Sequence, residues 1–181
     1  MSIQDTLGTL ANNLRSASGY QNKLSLADMS SMATSLTTYN LLSNTTSEVK
    51  ELQVDDNQWS AILYQKHLPV GIYTYSVYVD LTNGNSQASN RVEWTDTSGV
   101  NKALDADASC PVWGTYSDNW ILAGNKGLVS VTFQLGVEDT IKLGLSGNPF
   151  TKETIKYSCP MLNVGTFPLP YTSNTLVRGE G

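Results

Sequence analysis

The sequence is short of the residues that most enzymes use. It holds one histidine, His67, and two cysteines, Cys110 and Cys159, and only 15% of its positions carry a charge. Each shortage closes a class of chemistry. One His and two Cys that stand 49 residues apart cannot complete a zinc site. Nor do two Cys make a disulfide framework, and the plain reading is two thiols packed as small hydrophobes. A Ser-His-Asp relay would have to use His67. The stretch Gln65-Lys66-His67-Leu68-Pro69-Val70-Gly71 reads as a turn ahead of a long strand, and no Gly-x-Ser-x-Gly elbow exists elsewhere. Glycine-rich phosphate loops and dinucleotide fingerprints are missing as well. Basic residues number 11 against 16 acidic ones, and the net charge of −5 argues against a nucleic-acid partner, whose phosphates demand a basic surface. No stretch of about 18 apolar residues is present to span a membrane. The first 13 residues lack the basic flank and apolar run of a secretory signal. The expectation is a protein that is not an enzyme and that binds neither nucleic acid nor membrane.

What is present is a core with a polar surface of small residues. Ser, Thr and Asn number 20, 19 and 15 in a chain of 181, and 16 aromatics join Val, Leu and Ile to fill one interior. Over residues 1–39 apolar residues recur at helical spacing: Ile3, Leu7, Leu10, Ala11 and Leu14, then Leu26, Met29, Met32, Ala33 and Leu36. Ser2 with Asp5 and Ser25 with Asp28 supply caps, and Gly19 a stop. The pattern predicts a short α-helical hairpin. Each helix is too short to stand alone in water, where roughly 12–15 residues is the margin, so its stripe must be covered.

From residue 40 the period changes to two. Tyr73, Tyr75, Val77, Val79 and Leu81 share one face of segment 72–81, with Ser76, Tyr78 and Asp80 on the other. Val129, Val131, Phe133 and Leu135 alternate over 128–135, Ile141, Leu143 and Leu145 over 141–145, and Ile155, Tyr157, Cys159 and Met161 over 154–161. Shorter strands are expected at 48–54, 59–64 and 90–95. Asn83-Gly84-Asn85, Ser98-Gly99, Gly124-Asn125-Lys126-Gly127 and Ser146-Gly147-Asn148-Pro149 mark turns. Without crossover helices the sheet cannot be parallel, so the fold is mainly β: a two-sheet antiparallel sandwich of jelly-roll type over 40–181. Val77, Val79, Val131, Phe133, Leu143 and Met161 are expected between its sheets.

Candidate site residues come from the aromatics. Trp94 shares a face with Val92, and Trp59 alternates with Ala61 and Leu63, so both read as core. Trp113, Tyr116 and Trp120 lie in a polar, glycine-containing stretch, 111–120, that reads as a loop. A sugar ring has an apolar C–H face and a rim of hydroxyls, which a flat ring beside polar groups matches. The competing reading makes each Trp a plug of the sandwich edge. Tyr78, on the wet strand face, joins the candidate saccharide-binding set, as do Arg91 and Glu93, opposite in phase to Trp94. Asp55-Asp56 and Glu138-Asp139 read as solvated turns. Asp105 and Asp107 offer oxygens to a structural Ca²⁺, without EF-hand spacing. No other metal or cofactor is expected.

Two stretches carry a resemblance. Residues 10–32, with the Leu10-Ala11…Leu14-Arg15 stripe, a glycine turn, Lys23-Leu24-Ser25 and Ala27-Asp28-Met29, resemble a helix–turn–helix segment of tail and baseplate proteins of phages that infect Gram-positive bacteria. Residues 40–172 resemble a jelly-roll carbohydrate-binding module found in such proteins. The shared features are Asn40-Leu41-Leu42, the strand 71–80, Pro160-Met161-Leu162, Val164-Gly165-Thr166 and Pro170-Tyr171-Thr172. The resemblance implies a virion component at the tail tip or baseplate, made in the host bacterial cytoplasm, that binds host cell-wall saccharide for adsorption. Its helical hairpin (1–39) would dock onto other tail proteins or form a homo-oligomer, with a trimer favoured. The alternative it implies is a structural tail decoration protein with no sugar ligand.

Overall fold

The computed structural model describes residues 8, 11, 12, 40–104, 109–116, 120–166 and 168–173, with only the backbone described at 115 and 116. Among the described residues nine strands follow one another: β1 (Lys50–Val54), β2 (Ser60–Leu68), β3 (Gly71–Asp80), β4 (Ser89–Thr95), β5 (Asn101–Ala103), β6 (Val112–Tyr116), β7 (Lys126–Leu135), β8 (Asp139–Ser146) and β9 (Glu153–Val164). They form a five-stranded sheet, β1-β9-β3-β7-β6, and a four-stranded sheet, β2-β8-β4-β5. Every pairing is antiparallel.

The alternation of apolar residues dictates this stacking. Tyr75, Val77 and Val79 of β3 pair with Val131, Val129 and Gly127 of β7, and the apolar members are buried. From the opposing sheet Ile141, Leu143, Leu145 and Val92 are buried against them in one core cluster. A fully buried side chain of this kind contributes roughly 1.5–3 kcal/mol, and this contact holds the two sheets together.

Four expectations need correction. Trp59 is not core: it is 60% exposed, one residue ahead of β2. Its carbonyl accepts from the Gly147 amide at 3.0 Å, so the residue closes a turn and its ring goes to solvent. His67 is within β2 rather than in a turn. It is exposed, its Nδ1 lies 3.2 Å from Thr140 Oγ1, and the strand ends one residue later, ahead of Pro69. Met161 is buried but outside the inter-sheet cluster. Pairing slips between Ser76 and Tyr78, where Cys159 has a positive φ of 53°. This bulge sets Leu162 opposite Tyr75 and Met161 opposite Ser76, which reverses the phase of the strand's second half. The fourth correction concerns 111–120 and is given with the site.

The expected hairpin over 1–39 lies outside the described residues except at Gly8, Ala11 and Asn12, whose backbone is helical. All elements among the described residues are strands. Asp105 and Asp107 also lie outside them. No group of three or more His, Cys, Asp or Glu placed to hold a metal occurs among the described residues.

Asn40 joins the segment before β1 to the end of the chain's described part. It is 1% exposed. Its Oδ1 accepts from the amides of Leu42 and Leu162, both at 3.1 Å. Its Nδ2 reaches the carbonyls of Pro160 at 2.8 Å and Thr172 at 3.2 Å.

Candidate functional site

The outer face of the five-stranded sheet can be built from register alone. Trp113, Gln134 and Ile72 stand in one row across β6, β7 and β3. Thr132, Thr74 and Asn163 occupy a second row, and Ser130, Ser76 and Met161 a third. Leu128, Tyr78 and Ser158 form the fourth, and Lys126, Asp80 and Lys156 the fifth. Hydroxyls of Thr132, Thr74, Ser130 and Ser76 lie in the second and third rows, with Trp113 in the first and Tyr78 in the fourth.

The chain covers part of this surface itself. After β9 it turns back at Gly165, where φ is +115°. Thr74 donates to the Gly165 carbonyl at 2.8 Å, and Thr132 to that of Thr166 at 3.2 Å. Leu169 N donates to Asn163 Oδ1 at 3.3 Å, and Thr172 Oγ1 lies 3.9 Å from Met161 Sδ. Thr74, Ser76, Asn163 and Met161 are buried beneath this segment, although Ser76 was expected on a wet face and Met161 between the sheets. Ser130, Thr132, Gln134, Tyr78 and Trp113 stay partly open, and Leu128 is 43% exposed.

Trp113 belongs to a strand, which corrects the reading of 111–120 as a loop. Val112 is buried and pairs with Leu135, Trp113 with Gln134, and Gly114 with Phe133. The period is hidden because glycine fills the inward position at 114. A Cβ there would stand 2.5 Å from the Thr132 carbonyl oxygen and 2.9 Å from Phe133 Cα. Gly136 makes similar room for the indole, since a Cβ on it would stand 2.9 Å from the Trp113 ring. The ring borders a shallow hollow of about 230 Å³, also lined by Ile72, Thr132, Gln134 and Thr166. At the far end, two hydrogen bonds from Thr82 hold the Asp80 carboxyl below its usual range, with smaller help from Lys126 and Lys156.

The six candidate residues do not share one surface. Trp113 and Tyr78 lie on the outer face of the five-stranded sheet, six residues of β7 apart by register. That is about 20 Å at roughly 3.3 Å per residue. Tyr116 is placed opposite Val131 by its backbone, and its side chain is outside the described residues. Trp120 is half-buried next to Ile121, which bridges to Ala88 at one end of the sandwich. Arg91 and Glu93 lie on the other sheet. Arg91 Nε donates to Glu93 Oε1 at 2.7 Å, and Ser60 Oγ donates to the same oxygen at 3.1 Å. Their polar groups serve each other. Trp59 is the exposed aromatic that the alternation concealed.

Neither a protein-family model nor a curated relative matches the sequence. Among solved structures, the chain is similar to the xylan-binding CBM22-1 domain of a Paenibacillus barcinonensis protein, at 10% identity and a TM-score of 0.43, covering 66% of this chain and 83% of that one. It is also similar to a C-terminal family 22 carbohydrate-binding module from Clostridium thermocellum, at 10% identity and a TM-score of 0.41, covering 69% and 87%. A third is a sugar-binding protein from Bacteroides thetaiotaomicron, at 12% identity and a TM-score of 0.35, covering 69% and 85%. Likeness at this level determines neither fold nor ligand. The sandwich rests on the strand pairings, and the site on the surface chemistry of its sheet.

Proposed function

We infer that the domain binds saccharide without catalysis, on the outer face of its five-stranded sheet. One observation carries this: Trp113 and Tyr78 stand about 20 Å apart on a partly open strip whose polar side chains are Ser130, Thr132 and Gln134. Aromatic faces stack on the C–H faces of sugar rings, and the hydroxyls and the amide exchange hydrogen bonds with sugar hydroxyls. Such a strip suits a stretch of polymer rather than a small enclosed molecule. The named ligands and families of the similar solved structures agree with this ligand class.

In this reading the saccharide belongs to a Gram-positive cell wall and the protein to a phage tail tip or baseplate. The support is the resemblance of residues 10–32 and 40–172. Residues 1–39 then supply docking or association, and several copies raise the avidity of individually weak sites. Calorimetric titration with purified cell-wall polysaccharides tests the ligand class. Binding that Trp113→Ala weakens roughly ten-fold supports it; no binding to any wall fraction, or binding unchanged in that variant, overturns it. Light scattering on the full chain and on residues 40–181 tests the association. A trimer that becomes a monomer on truncation is expected, and the same mass per chain in both would remove residues 1–39 from that role.

A further inference from the structure

We propose that the loop end of the sandwich is a second saccharide site, independent of the sheet face. It deepens the reading above in that it assigns the same ligand class. The hollow lies where β7 begins, about 25 Å along that strand from the row of Trp113. Its volume is about 670 Å³. That is within the range of about 300–1,000 Å³ typical of small-molecule sites.

Loops from four connections surround it, and their backbones are tied to one another. Asn57 N donates to the Phe150 carbonyl at 3.0 Å, and Phe150 N to that of Gln58 at 2.8 Å. Lys152 N donates to Asp56 Oδ1 at 2.8 Å. The Glu153 carboxylate accepts from the amides of Asn85 at 2.7 Å and Ser86 at 2.9 Å. Thr151 N donates to Ser86 Oγ at 2.9 Å, and Ala88 and Ile121 exchange backbone hydrogen bonds at 2.8 and 2.9 Å. The rim is therefore organised before any ligand arrives, which lowers the entropy cost of binding.

What the rim presents is amide chemistry. Asn57, Asn85, Gln87 and Asn148 line the hollow, and none of their carboxamides hydrogen-bonds to a described residue. Each offers two donors and an acceptor with no charge, matching hydroxyls that both donate and accept. Among the described residues of the lining, Asp56 is the one ionisable side chain, and none is a Lys or Arg that would hold an anion. Leu122, 54% exposed, joins Ala123 and Pro149 as an apolar wall for a sugar's C–H face. Neutral, hydroxyl-rich and partly apolar together describe a short saccharide.

Amide-resolved NMR titration of the full chain with glucose, galactose, N-acetylglucosamine and their β-linked oligomers tests this. At least one probe should shift the amides of Asn85, Ser86, Leu122 and Thr151, and should do so equally in Trp113→Ala. The double change Gln87→Ala, Asn148→Ala should weaken that binding ten-fold or more. Ala123→Trp, which fills the hollow, should abolish it, and both variants should keep a folded spectrum and their Trp113-dependent binding. The proposal is overturned if no probe moves the loop amides, if both loop variants bind as the parent does, or if Trp113→Ala removes the loop shifts. Loop shifts that persist while Trp113→Ala leaves polysaccharide binding intact would support the loop site and overturn the sheet-face reading instead.

Discussion

Asn40 shows how much a single polar side chain can hold. It is buried, and its amide meets backbone groups from its own segment, from β9 and from the returning tail. Asn40→Ala leaves several of these groups unpaired in a dry site, at roughly 1–3 kcal/mol for each group that water cannot reach. A loss of about 3 kcal/mol in urea unfolding is expected, and less than about 1 kcal/mol would show that the tail is not fastened there. Trp113 should behave in the opposite way. Trp113→Ala should reduce saccharide binding by about 1.4 kcal/mol, or ten-fold, with a nearly unchanged melting temperature. Trp94→Ala, at a ring packed on the core, should cost about 3 kcal/mol of stability and leave binding alone. If the two mutants exchanged these outcomes, the placement of the site on the outer face would fall. Sequence phase identified Tyr78 as outward and Trp94 as core-facing. It failed for Trp59, because alternation cannot say whether the first residue of a run still belongs to the ladder.

At the scale of elements, glycines and bulges decide where strands can lie. Gly144 sits in β8 with the β2 backbone against it: a Cβ there would collide with the Ala61 carbonyl oxygen and lie 2.8 Å from Ile62 Cα. The register shift in β2 between Ile62 and Tyr64 adjoins this contact. Gly144→Ala is expected to cost 2 kcal/mol or more, since backbone rather than a mobile side chain must yield. A denaturation midpoint within error of the parent would refute the close approach. Strands β3, β7 and β8 were legible because their apolar alternation is unbroken. Strand β6 was not, because Gly114 takes the place of an inward side chain, and β5 is too short to show a period. The second half of β9 was misphased by the bulge at Cys159, which leaves no mark in composition.

The whole molecule carries a set of tyrosines in or against the inter-sheet core whose ionisation opposes folding. Burial, with smaller contributions from Tyr157 and Tyr171, pushes Tyr64 up to about 12, and burial also raises Tyr73, Tyr75 and Tyr157. In the unfolded chain these phenols ionise near their ordinary value of 10, so above that pH the unfolded state holds fewer protons than the native state. Stability should be flat through neutral pH and fall as the pH rises from 10 towards 12. Tyr64→Phe should move the alkaline midpoint upward without changing stability at pH 7. An alkaline midpoint that does not move would mean Tyr64 is solvated in the native state. By itself the sequence determined the two-sheet antiparallel sandwich, because period-two alternation is a local property of an extended chain. Tertiary structure alone decided which aromatics share a face, that Arg91 and Glu93 pair with each other on the opposite sheet, and that Asn57, Asn85, Gln87 and Asn148 meet in one hollow. Those outcomes depend on register, bulges and the order in which loops converge, and these arise only when distant strands pair.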